Sequence, residues 1–147
     1  MNVHESEKLA GMLEDKNYKQ SLDVENADLV IFNTCCIRKG AEDKVYGNLG
    51  YIKNLKEKNP NLIVAVCGCM SQQPGKEKEL KERCPFIDII FGTHNISKFS
   101  QFLEQYEKKH TYIGEIVEGD KSIVEGVPIS RKTEFNAYVC MFFLILF

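Results

Sequence analysis

Residues 62–74 read LIVAVCGCMSQQP. The apolar run 62–66 passes without a break into Cys67, Gly68 and Cys69. A continuous β-branched run ending in glycine is how a strand buried on both faces of a parallel sheet reads. The residues just past such a strand lie at its carboxyl end, where ligands bind in open α/β sheets. Residues 28–32, DLVIF, repeat the pattern and lead into Asn33, Thr34, Cys35 and Cys36. Two buried strands thus deliver thiols to one edge of one sheet.

Helical periods fill the spaces between these strands. Residues 1–16 carry an apolar stripe of Leu9, Met12 and Leu13, and Asn2 with Glu5 forms a capping-box pattern. Residues 39–58 place Val45, Leu49, Ile52 and Leu55 on one face, and Asn59-Pro60 stops that helix. A more polar helix is expected over 74–83, ended by Pro85, and a strand over 86–91. Asn95 is expected to cap a helix reaching Lys108, and short strands are expected over 18–22 and 111–117. Alternating strands and helices imply α/β architecture, a parallel sheet with helices on both faces and right-handed crossovers. The chain opens on a helix, whereas a doubly wound domain opens on a strand that sits inside the sheet in the order 2-1-3-4-5. Leaving that strand out strips its neighbours of ladder partners, at about 1–3 kcal/mol for each buried unpaired group. The expectation is therefore a first strand missing upstream of Met1.

The 147 residues suffice for one domain with a sizeable core. The net charge of -2 comes with no conspicuously basic arm, which argues against this segment being the main grip on a nucleic acid. Six cysteines follow a polar start, so a reducing cytoplasm and metal or catalytic thiols are expected rather than a disulfide framework. The apolar tail 139–147 is too short to span a bilayer as a helix, so no membrane partner is expected. Residues 119–133, with Gly119, Gly126 and Pro128, read as a linker between a domain over 1–118 and a segment over 134–147. There is no phosphate loop, GxGxxG or hydrolase elbow.

Cys35 and Cys69 each follow a buried strand and precede a helix. A helix start offers N–H groups and partial positive charge to thiolates and anionic clusters. Two convergent thiols are half of a tetrahedral thiolate site, and a spacing of one βα crossover suits an iron–sulfur cluster better than a zinc ribbon. Three readings stand open. Cys35 and Cys69 are cluster ligands; or they are small buried hydrophobes at strand ends in a non-enzymatic module; or Cys35, Cys36, Cys67 and Cys69 share a zinc ion. Alternation turns Cys36 and Cys67 away from the other two, as core residues or spare ligands. Cys84 reads as structural, and Cys140 carries no assignment. His94 follows a strand and could line the same edge; His4 and His110 are scattered. Arg38 and Lys39 suit either a cluster's charge or a solvated helix start. Gly68 and Gly92 are expected to permit tight turns or close backbone approach.

The segments Met1-Asn2-Val3-His4-Glu5-Ser6-Glu7, Asn33-Thr34-Cys35-Cys36-Ile37-Arg38, Cys67-Gly68-Cys69-Met70-Ser71-Gln72-Gln73 and Phe91-Gly92-Thr93-His94-Asn95 occur in that order. Together they resemble the N-terminal domain of the radical-SAM methylthiotransferases, most of all the MiaB branch, which acts on tRNA. The resemblance covers residues 1 to about 131 and implies a flavodoxin-like three-layer fold. It implies an auxiliary [4Fe-4S] cluster held by three cysteines. Two carry over, as Cys35 and Cys69; the third belongs to a Gly-Cys-Gln segment that precedes the Met-Asn. It further implies S-adenosylmethionine and a second [4Fe-4S] cluster bound by a CxxxCxxC motif in the intact parent, which this chain does not contain. The expected parent is a cytoplasmic, monomeric transferase adding a methylthio group to adenosine beside the anticodon, with this segment alone inactive. The tail 134–147 departs from the family pattern and reads as a truncated start of the radical-SAM barrel.

Overall fold

The computed structural model describes residues 2–34, 40–116 and 143–146, with side chains for 4–34, 40 and 42–116. Its parallel strands are β1 (Leu29–Thr34), β2 (Ile63–Gly68), β3 (Ile89–Phe91) and β4 (Ile113–Glu115). They lie in the order β4-β3-β2-β1, and β5 (Phe143–Leu146) runs antiparallel along the outer edge of β1. Between them come α1 (Asn2–Glu14), α2 (Ala41–Lys58), α3 (Lys76–Arg83) and α4 (Phe99–Lys109).

Alternation along the strands splits the core in two. Leu29, Ile31, Ala65, Cys67, Ile89 and Phe91 face α1 and α4, against Leu9, Leu13, Phe99 and Leu103. Val30, Phe32, Val64, Val66 and Ile90 face α2 and α3, against Val45, Leu49, Ile52 and Leu80. Every residue of β1 is buried, as its unbroken apolar reading requires of a strand covered on both faces. Each fully buried Leu, Ile or Phe contributes about 1.5–3 kcal/mol. The result is a three-layer α/β sandwich of the flavodoxin kind, as the alternating elements imply.

Two topological details differ from expectation. β1 and β2 pair directly, from Leu29 opposite Ile63 to Thr34 opposite Gly68. The inner position of the order 2-1-3-4-5 is therefore closed, and no ladder between these strands lacks a partner. The crossovers also do not share one hand. All three connections step in the same direction across the sheet, yet α2 and α3 lie on one face and α4 on the other. The β3–α4–β4 connection is thus opposite in hand to the two before it, against a strong general preference. β4 is a three-residue edge strand, so little twisted ladder is there to enforce the rule.

Local departures have local causes. No strand forms over 18–22, because that backbone closes α1 instead. Asn17 takes a left-handed φ of 66°, its N–H reaches Glu14 O, and Tyr18 N–H reaches Leu13 O, the two bonds of a Schellman cap. Asn95 does not cap an α-helix. It lies inside a 3-10 helix, Thr93–Lys98, and its Nδ2 donates to the Glu115 carbonyl at 2.9 Å. Only Ile89–Phe91 of the expected strand 86–91 pairs as a strand. Asp88, just before it, bonds to both neighbours through its backbone, its N–H to the Val64 carbonyl and its carbonyl to Ile113 N–H, each at 2.9 Å. Its carboxylate also accepts from Val64 N–H at 2.8 Å, from Tyr106 Oη at 2.6 Å and from Lys56. The capping role expected of Asn2 concerns a side chain outside the described residues.

Tyrosine–carboxylate bonds tie the helices to one another and to the segments around them. All five tyrosines among the described residues donate to one: Tyr18 to Glu107, Tyr46 to Glu79, Tyr51 to Glu25, Tyr106 to Asp88 and Tyr112 to Glu77.

Candidate functional site

The carboxyl end of the sheet is laced by short polar side chains, each reaching from one element to a neighbour. Thr34 Oγ1 donates to the Cys67 carbonyl at 2.7 Å, tying β1 to β2. Ser71 Oγ lies 2.9 Å from the Gly68 carbonyl and 2.7 Å from the Phe91 carbonyl, joining the ends of β2 and β3. Asn33 Nδ2 donates to Ser6 Oγ at 2.9 Å, joining β1 to α1. Asn95 completes the series toward β4. Asn33, Thr34, Ser71, Asn95 and Ser6 are all buried. Buried polar groups stay in place only when bonded, so these bonds fix the rim.

Gly68 lets the rim close. Its φ is 102°, and a Cβ there would stand 2.2 Å from the Thr34 carbonyl oxygen. Only glycine combines that backbone with that approach. Past it, Cys69 N–H donates to the same Thr34 carbonyl at 2.9 Å. That carbonyl belongs to the peptide that joins Thr34 to Cys35. Gly92, at φ of -82°, needs no left-handed backbone; a Cβ there would meet the end of the Gln72 side chain.

Of the candidate thiols, Cys69 is half-buried at this rim, whereas Cys67 and Cys84 are buried. Cys67 is fully enclosed in the layer between the sheet and α1, as alternation implies. Burial above all, with help from Glu5, pushes its thiol well up, so it stays protonated at neutral pH. A four-thiolate zinc site including Cys67 therefore finds one donor turned inward. Cys84 ends α3 and packs with Leu80 and Ile87, the structural role expected of it. Cys35, Cys36, Arg38, Lys39 and Cys140 lie outside the described residues. His94 is exposed at the start of the 3-10 helix, and His4 is exposed on α1. His110 ends α4 and packs edge-on against Tyr106.

Glu5 is the group that pattern reading missed. Its Oε2 is buried without a hydrogen-bond partner. Burial raises its carboxyl, against an opposing pull from Lys8 and His94. A capping-box pattern accounted for Glu5 in sequence, and nothing local signals that α1 tucks it against the rim.

Among the described residues no three His, Cys, Asp or Glu side chains gather as a metal site. What the rim offers is one half-buried thiol, Cys69, beside the peptide that leads into another, Cys35. Soft thiolates are the donors that iron–sulfur clusters take, so the donor type fits such a cluster.

The profile of the family described as "Uncharacterized protein family UPF0004" matches residues 1–92. A relative from Clostridium botulinum (strain Eklund 17B / Type B), named tRNA-2-methylthio-N(6)-dimethylallyladenosine synthase, is 50% identical over 143 residues, covering 97% of this chain and 31% of its own length. Proteins of the same name from C. botulinum (strain Loch Maree / Type A3) and Clostridium tetani (strain Massachusetts / E88) are 52% and 50% identical, each over 97% of this chain and 32% of its own length. The chain thus spans about a third of the length of these curated relatives.

Proposed function

The chain belongs to the family described as Uncharacterized protein family UPF0004, and from that membership we propose that it is the thiol-bearing domain of a tRNA methylthiotransferase. The parent enzyme, on this reading, adds a methylthio group at carbon 2 of N(6)-dimethylallyladenosine in tRNA, the product in its relatives' names. One observation carries the reading to particular residues: the Cys69 N–H bond to the Thr34 carbonyl, which joins the two strand ends that lead to Cys69 and Cys35.

Cys35 and Cys69 are the proposed ligands of an auxiliary [4Fe-4S] cluster, with Cys36 in reserve. When bound, a cluster ligated by fewer than four cysteines offers an open iron to incoming sulfur. The protein's own work is positional. Gly68 turns the chain so that Cys69 leaves the strand beside β1, while Ser71 and Asn33 hold the flanking elements. Cys67, protonated and enclosed, packs rather than ligates. S-adenosylmethionine, a second cluster and the tRNA grip are assigned to the length of the relatives that this chain does not span. The assigned setting is the cytoplasm; no helix among the described residues is long and apolar enough to cross a membrane.

The test is an exchange. The matching part of the C. tetani relative is replaced by this chain, and the whole protein is reconstituted anaerobically. Expected are iron and sulfide contents equal to the relative's, and methylthiolated adenosine in tRNA. Cys35→Ala or Cys69→Ala should each remove about four irons per chain, the content of one cubane, and abolish the product. Variants that keep all the iron and still modify tRNA would overturn the reading.

A further inference from the structure

Thr34 precedes one candidate thiol, Cys35, in sequence, and with two separate groups it holds the backbone that carries the other, Cys69. Its hydroxyl donates to the carbonyl of Cys67 at 2.7 Å. Its own carbonyl accepts from the N–H of Cys69 at 2.9 Å. Gly68 lies between these two bonds, so close that a Cβ would fall 2.2 Å from the Thr34 carbonyl oxygen and 2.7 Å from its nitrogen. The segment Cys67-Gly68-Cys69 is thus gripped before and after its left-handed residue. The covalent neighbour of the gripping residue is Cys35. Thr34 is itself buried, at 2% exposure, so water does not compete for the hydroxyl. A strand does not need a hydroxyl at this place: the backbone ladder between β1 and β2 already runs through Thr34 opposite Gly68. The extra bond acts on the three residues that carry the thiol out of the strand.

We propose that Thr34 is the positioning residue of the thiol pair: its hydroxyl and carbonyl clamp the Cys67-Gly68-Cys69 turn and so fix the Cys69 thiol relative to that of Cys35. This rests on the reading of Cys35 and Cys69 as a working pair. A clamp of this kind acts before any metal arrives. It shortens the search two thiols must make to meet a common partner, which is the pre-organisation that a binding site supplies.

The effect is measurable without a cluster. The full 147-residue chain is prepared with Cys36→Ser, Cys84→Ser and Cys140→Ser, leaving enclosed Cys67 in place. It is equilibrated at fixed pH in glutathione buffers of graded ratio. The protein dithiol and one oxidised glutathione give the protein disulfide and two reduced glutathiones, so the midpoint ratio yields the effective concentration of one thiol at the other. Peptide mass mapping identifies the bridge as Cys35–Cys69. Thr34→Val, which keeps the shape and removes the donor, should lower the effective concentration roughly fivefold, the size of one lost hydrogen bond. Thr34→Ser, which restores the donor, should return it to within about twofold of the parent. Thr34→Ala serves as a second donor-free variant should the valine form fail to fold, with near-ultraviolet circular dichroism as the check. An unchanged midpoint in a folded Thr34→Val or Thr34→Ala protein overturns the clamp. A parent that forms no Cys35–Cys69 bridge at any ratio overturns the clamp as a device that holds these thiols within bonding reach. The cluster site is judged separately, by the iron content of the Cys35→Ala and Cys69→Ala variants, because cluster ligands stand farther apart than a disulfide allows.

Discussion

Glycine substitutions separate two kinds of position in this chain. At Gly68 the φ of 102° and the 2.2 Å approach to a backbone oxygen both forbid a side chain. Gly68→Ala should therefore destabilise the protein by about 2–4 kcal/mol, combining left-handed strain with a clash that only backbone movement relieves. Gly47 and Gly50 stand in α2 with nothing within 4 Å of an added Cβ. Gly47→Ala and Gly50→Ala should each stabilise by about 0.5–1 kcal/mol, because alanine loses less backbone freedom in a helix. Urea titration of the three variants checks the opposite signs. The glycine that matters was legible from its place between two cysteines after an apolar run. Thr34 and Glu5 were not. Asn33-Thr34 reads in sequence as the polar tail of a strand, and the reach of that hydroxyl to Cys67 exists only once β1 and β2 pair. The Oε2 of half-buried Glu5 is covered by a helix packing event that no local pattern encodes.

Strands and helices with strong periods formed where their apolar residues required. β1 and β2 are the clearest cases, since an unbroken β-branched run has nowhere to go except the middle of a layered fold. Weakly patterned segments were decided by tertiary bonds. The stretch after Gly92 carries a capping asparagine by type, yet the amide of Asn95 is spent on the last carbonyl of β4, and a 3-10 turn results. Capping preference is worth about 1 kcal/mol, and a buried bond to a strand end competes on equal terms. β4 has three residues, with Ile113 buried and its two successors exposed, so this bond is a large share of what holds it. Asn95→Ala should cost about 1 kcal/mol overall. It should raise amide hydrogen exchange at Ile113–Glu115 while leaving β1 and β2 protected. Equal exchange gains in all strands would show that β4 does not open as a separate unit.

Across the whole molecule the phenol–carboxylate bonds give stability a particular response to alkali. Tyr18, Tyr106 and Tyr112 are each raised above the ordinary phenol range, by burial first and then by the bonds to Glu107, Asp88 and Glu77. Burial pushes the Cys67 thiol the same way. A group held protonated by the fold lends its full stabilisation below its unfolded pKa and loses it as pH climbs toward the folded one. The melting temperature should therefore begin to fall near the unfolded thiol pKa of about 8.5 and more steeply above the phenol value of about 10. Tyr106→Phe should melt lower at neutral pH but decline less steeply in alkali; a slope equal to the parent's would remove Tyr106 from the response. The same staples also govern how the protein handles light. The sequence contains no tryptophan, so emission under ultraviolet excitation comes from tyrosine. A phenol bonded to a carboxylate passes its excitation to the proton and emits weakly, and all five tyrosines among the described residues are so bonded. The folded chain is a dim object that brightens as its helices part, and it reports its own unfolding without a label.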